Sequence, residues 1–173
     1  FGQSGGVKTS ARRFLQAPIM LGTVDHLMGV AAPTSARFLL QSLRVMTADL
    51  ILDEIDQYDG EDLAAIARLV FQAGAAGRRV MAMSATLTPD IAEALEQAYR
   101  QGWESHARAT GAPAHINLLL AGDAPNSVCT NSADEPIAVL LDRCRAALLE
   151  GIAQAPALRR GEILPVPQGW AEL

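Results

Sequence analysis

Lysine is nearly missing from this chain. Lys8 stands alone among 14 basic residues, the rest being arginines, and 19 acidic residues bring the formal net charge to −5. A general nucleic-acid coat is normally basic, so that class is excluded, although a local phosphate contact is not. Cysteine is as scarce: Cys129 and Cys144 stand in no CxxC or zinc spacing and read as two reduced thiols of a cytosolic protein. No apolar run approaches the ~20 residues that span a bilayer, and no signal-peptide pattern is seen. No membrane partner and a cytoplasmic location are therefore expected. His26, His106 and His115 show no partner spacing, so a histidine-based metal site is not expected.

What remains is globular. Half of the 173 residues are hydrophobic and 19% are charged, enough for one domain with a core and too short for two ordinary ones. The chain opens on Phe1 and stops at WAEL after a proline-rich tail, and it is expected to be a piece of something longer.

Apolar runs and helical periods alternate along it. APIMLGT (17–23) reads as a buried strand, followed by a short helix VDHLMGVA that Thr23 would cap. A turn and an amphipathic helix carrying Phe38, Leu39, Leu43 and Met46 precede the strand DLILDE (49–54). Residues 61–77 place Leu63, Ile66, Ala67 and Val70 on one helical face, with Gly74 and Gly77 as stop signals. RRVMAMSAT (78–86) reads as a strand. Thr88-Pro89-Asp90 then supplies a cap, a first-turn proline and an acid for a helix to about Thr110. HINLLLAG (115–122) reads as a further strand, then a polar loop and a helix at about 136–155.

Strands that are apolar on both faces and alternate with helices predict an α/β fold, a mainly parallel sheet with helices on both faces. In such folds ligands bind at the carboxyl edge of the strands, where Thr23, Asp53, Glu54, Ser84 and Thr86 fall. An Asp at a strand end can hold magnesium while the metal bridges nucleotide phosphates. A Glu one residue later can polarise a water. Asp53 and Glu54, in ILDEIDQYD, would thus serve metal and nucleophile separately. The Ser84 and Thr86 hydroxyls of MSATLTP can hydrogen-bond that acidic loop and relay its state. GTVDHLM offers a capped helix start to a phosphate. Each has a plainer reading: an acidic turn, a strand-ending hydroxyl pair, an ordinary capped helix.

Together these stretches resemble the first motor domain of a superfamily 2 helicase. TVDHLM, LILDEIDQYD and VMAMSATLTPDIAEALEQAYRQG are similar, more narrowly, to the CRISPR-associated nuclease–helicases of type I systems, especially type I-F. The likeness covers about 17–105 and fades beyond. It implies a partial RecA-like (P-loop NTPase) three-layer fold. Residues 1–125 would be the C-terminal part of that motor domain, and 126–173 its end or the joint to the second. Asp53 would match the magnesium aspartate, Glu54 the catalytic base and Asp56 the third nucleotide-site acid, touching the coupling motif Ser84-Ala85-Thr86. Thr23, Val24, Asp25 and His26 would match a contact to the DNA backbone. ATP and Mg2+ would be the cofactors, and single-stranded DNA, degraded by a metal-dependent HD nuclease domain, the substrate. The crRNA-guided surveillance complex, and the adaptation integrase in type I-F, would be the partners.

One half of an ATPase is not in the sequence. A P-loop needs G-x-x-x-x-G-K-S/T between a strand and a helix. GQSGGVKTS (2–10) misses it, because Val7 separates Gly6 from Lys8 and no apolar strand precedes it. The P-loop strand is expected to be missing, along with the arginine finger of the second motor domain and the HD cluster. The chain by itself is expected to be inactive. A different superfamily 2 DNA or RNA helicase stays open as an alternative, as does a non-catalytic remnant serving as an interaction module. The flanking sequence discriminates between them.

Overall fold

In a computed structural model, residues 11–31, 35–58, 60–123, 128–131 and 135–154 are described. The glycine-rich stretch 2–10 and the proline-rich tail lie outside them. Helices dominate: α1 (11–16), α2 (Asp25–Ala31), α3 (Leu39–Thr47), α4 (Gly60–Ala75), α5 (Pro89–Thr110) and α6 (Ile137–Gln154). Between them run β1 (Leu50–Leu52), β2 (Val80–Ala82), β3 (Leu119–Ala121) and β4 (Val128–Thr130). The mixed α/β class is borne out. β1 and β2 pair in parallel on either side of α4, with Leu50 opposite Val80 and Leu52 opposite Ala82.

The main core lies on one side of that parallel pair. Leu50 and Leu52 join Ile55, Val30, Val45 and the inner stripe of α4, in which Ile66, Leu69, Val70 and Ala73 are at most 1% exposed. Fully burying each such large aliphatic side chain is worth roughly 1.5–3 kcal/mol. Strand alternation sends Ile51 and its register partner Met81 to the other face, where they are 65% and 53% exposed. The expected sheet with helices on both faces is thus corrected for the described residues: its second face is open. The strands read as apolar on both sides because Ile51 and Met81 are apolar, yet composition does not say whether anything covers them.

The strand expected at 17–23 does not form. Ile19 and Leu21 are 86% and 99% exposed in irregular chain. Pro18 has no N–H to give a ladder. The Arg44 guanidinium instead holds the preceding chain, donating to the carbonyls of Leu15 at 3.1 Å and Ala17 at 2.6 Å. The polar loop expected after residue 122 contains β4, antiparallel to β3. Asn131 closes this hairpin: its Oδ1 accepts from Leu118 N at 2.8 Å, and its backbone N–H donates to Leu118 O. A three-residue strand leaves little period to read.

The helix ends separate two glycines that look alike in the sequence. Gly77 (φ +68) ends α4. Its N–H donates to Gly74 O at 2.9 Å and that of Arg78 to Ala73 O at 2.8 Å, the Schellman pair of bonds. Gly74 is no stop signal; it is buried inside α4, against α5. The start of α5 is as expected, with Thr88 extended, Thr88 Oγ1 accepting from Ile91 N, and Pro89 in the first turn. A second, smaller cluster gathers Ala92 of α5 with Ile137 and Leu141 of α6, and Leu118 and Leu120 pack on it.

Candidate functional site

β1 ends at Leu52 and β2 at Ala82, and both run into turns at the same end because the strands are parallel. Backbone bonds carry the pairing past the strands: Met83 N donates to Leu52 O at 2.8 Å and Ile55 N to Met83 O at 3.3 Å. The acidic turn and the Ser84–Thr86 turn are therefore fixed side by side before any side chain acts. Ile55, 1% exposed, anchors the acidic turn in the core and leaves Asp53 and Glu54 exposed around it.

Glu54 is left-handed, with φ 53° and ψ 43°, and is the non-glycine residue with positive φ among the described residues. Such a backbone costs a side-chain-bearing residue roughly 1–2 kcal/mol. Strand alternation no longer decides where its carboxylate points; that twist does. Three hydrogen bonds hold the residue. Glu54 N donates to Asp53 Oδ1 at 3.0 Å, and Gln57 grips Glu54 twice, donating from its backbone N–H to Glu54 O at 3.1 Å and from Nε2 to Oε2 at 2.8 Å.

Asp56 makes the bridge between the turns. Thr86 Oγ1 donates to Asp56 Oδ2, Ser84 also hydrogen-bonds Asp56, and Thr86 N donates to Ser84 Oγ at 3.1 Å. The Thr86 hydroxyl first, and the Ser84 hydroxyl second, stabilise the carboxylate and hold the Asp56 pKa below its ordinary 3.8. Because the folded pKa is the lower one, the bridge contributes its stability in full above pH 3.8. That contribution is lost as the pH falls through the folded value. Thr86→Val is expected to move the Asp56 titration upward, toward 3.8, in a carboxyl-carbon NMR titration; an unmoved midpoint would show that the hydroxyl does not hold the carboxylate.

Thr23 stands apart from this convergence, since no strand ends before it. Its Oγ1 lies 3.0 Å from His26 Nδ1, and both are exposed. Val24 and Leu27 seat the segment on the main core, while Asp25 opens α2. Sequence reasoning missed Gln57, whose signal is only a polar residue three positions after Glu54. It also missed Arg145, whose guanidinium donates to Leu87 O at 2.7 Å and braces the exit of the Ser84–Thr86 turn. That contact spans 58 positions and has no local signal.

Among the described residues no three His, Cys, Asp or Glu side chains gather to cage a metal. The donors present are exposed carboxylate oxygens, which fit a hard cation that keeps most of its own waters and takes one or two protein carboxylates. A shallow concavity of about 350 Å3, lined by Glu104, Ala107, Arg108, Ala112 and Ala114, sits at the far end of α5 from the acidic turn. At ~1.5 Å per residue that is most of the helix length away, so it takes no part in this chemistry.

The chain is similar in sequence to segments of known nuclease/helicases. Over 109 residues, 62% of its length, the chain is 45% identical to the CRISPR-associated nuclease/helicase Cas3 subtype I-F/YPEST of Pseudomonas aeruginosa. It is 40% identical over 124 residues, 71% of its length, to the protein of the same name from Pectobacterium atrosepticum. The chain spans about 10% of the length of each. No protein-family model matches it. The resemblance read from the sequence is borne out: the chain is homologous to a segment of type I-F CRISPR-associated nuclease/helicases. No helix among the described residues is long and apolar enough to cross a membrane.

Proposed function

We propose that this chain is part of the first motor domain of an ATP-dependent helicase–nuclease that translocates on and degrades single-stranded DNA in CRISPR interference. The observation that carries this is the Asp56–Thr86 bond, which ties an acidic turn after one strand to a hydroxyl turn after its parallel neighbour. The identity to type I-F nuclease/helicases supports it. Residues 1–125 are assigned to a RecA-like motor domain, and 126–173 to its end or to the joint with the second.

Asp53 is assigned to Mg2+, the exposed carboxylate at the end of β1 fitting a cation that otherwise keeps waters and phosphate oxygens. When bound, Mg2+ neutralises charge on the ATP phosphates. Glu54, exposed and held by Gln57, takes the proton of the attacking water. Asp56 passes the state of that turn to Ser84, Ala85 and Thr86. Thr23, Val24, Asp25 and His26 contact the DNA backbone, and the wider partners are the crRNA-guided surveillance complex and, in type I-F, the adaptation integrase.

This is the hydrolytic half of a split site, since no P-loop pattern stands in the sequence. ATP turnover with magnesium and single-stranded DNA is the test. The full-length enzyme containing this segment is expected to hydrolyse ATP, and the 173-residue chain alone is expected to show no turnover above background. Turnover by the chain alone overturns the split site; an inert full-length enzyme overturns the motor itself.

A further inference from the structure

The two cysteines read from the sequence as unrelated reduced thiols meet in the fold. β4 exposes Val128 and Thr130 and turns Cys129 inward, opposite Leu120 of β3, which packs on the smaller core cluster. On α6 the buried residues are Ile137, Leu140, Leu141 and Cys144, an i, i+3, i+4, i+7 stripe that ends on the second cysteine. The hairpin and α6 pack together, and Cys129 and Cys144 are near enough across that interface to influence each other. A disulfide requires the two sulfurs to reach ~2 Å.

We propose that Cys129 and Cys144 form a covalent modification site, at which an oxidant of the peroxide class closes a disulfide that staples the β3–β4 hairpin to α6. Cys129 is partly exposed and Cys144 buried, which sets their order. The Cys129 thiolate attacks one peroxide oxygen, the O–O bond breaks, and hydroxide leaves with the thiol proton as water. The Cys144 sulfur then attacks the resulting sulfenic acid. The S–O bond breaks and a second water carries off the Cys144 proton. Two thiols and one hydrogen peroxide become one disulfide and two waters. Burial, and the neighbouring Cys129, push the Cys144 thiol up, as suits a slow resolving partner.

The staple lies beside the candidate site without taking part in its chemistry. Arg145, the next residue on α6, holds Leu87 O at the exit of the Ser84–Thr86 turn. Fixing Cys144 therefore fixes the helix that braces that turn. In a reducing compartment such a bond stays open until oxidant rises.

Graded hydrogen peroxide on the purified 173-residue chain, followed by a maleimide quench and mass spectrometry, tests this. Both thiols are expected to disappear together, with a mass loss of about 2 Da, a Cys129–Cys144 link in the peptide map and full reversal by dithiothreitol. Tm is expected to rise by roughly 5 °C on oxidation. In Cys144→Ala, a sulfenic acid on Cys129 should be trapped by dimedone and the mass loss should vanish; should that variant unfold, Cys129→Ser gives the same loss of linkage. Independent oxygen adducts on each cysteine, or disulfides only between separate chains, would overturn the proposal.

Discussion

Glu54→Gln in the full-length enzyme is expected to leave ATP binding in place and to lower turnover by roughly 10²–10⁴-fold, the usual share of a positioned general base. The substitution keeps the shape and the left-handed backbone at residue 54, and the amide oxygen still accepts from Gln57 Nε2. What it removes is a carboxylate able to take a proton. Phosphate release and the binding of a fluorescent ATP analogue, measured on the same preparation, separate the two effects. Hydrolysis near the wild-type rate would refute Glu54 as the base. Loss of binding would place its role in holding the nucleotide.

The second large effect lies in the helix crossing that carries the candidate site. A Cβ on Gly102 of α5 would sit 2.1 Å from Phe71 O and 2.9 Å from Ala75 N, both backbone atoms of α4. Gly74 of α4 faces the reverse way, with a Cβ position 2.7 Å from Tyr99 O. Neither helix can admit a methyl group without moving apart. Gly102→Ala gains at most about 1 kcal/mol of helix propensity. Against it stands overpacking of about 3 kcal/mol or more, because backbone rather than a flexible side chain must yield. The clash wins, and the urea midpoint should fall. Gly22→Ala, whose Cβ would meet nothing within 4 Å, serves as the neutral control, within about 0.5 kcal/mol. An unshifted midpoint for Gly102→Ala would mean that α4 and α5 do not cross this closely.

Local signals in the sequence were reliable where the chemistry is local. Thr88-Pro89-Asp90 announces α5, and DLILDE announces β1, because caps and short apolar runs act within a few residues. The adjacency of the acidic and hydroxyl turns was also legible, since strand, helix, strand in that order predicts parallel neighbours with ends on one edge. Features that need a distant partner were not legible. APIMLGT has a strand's composition and no partner strand among the described residues. Gly74 and Gly77 look alike until α5 is laid across one of them. Gln57 and Arg145 gain meaning only from the carboxylate and the carbonyl they meet.

The left-handed backbone at Glu54 bears on how this protein responds to selection in the laboratory. That conformation is natural for glycine and tolerable for asparagine, and unfavourable for glutamate. A screen that rewards heat resistance alone would therefore drift toward Gly or Asn at position 54, relaxing the turn and discarding its carboxylate. Thermostability and turnover pull against each other at this one residue, so an improved scaffold has to draw its stability from elsewhere in the chain.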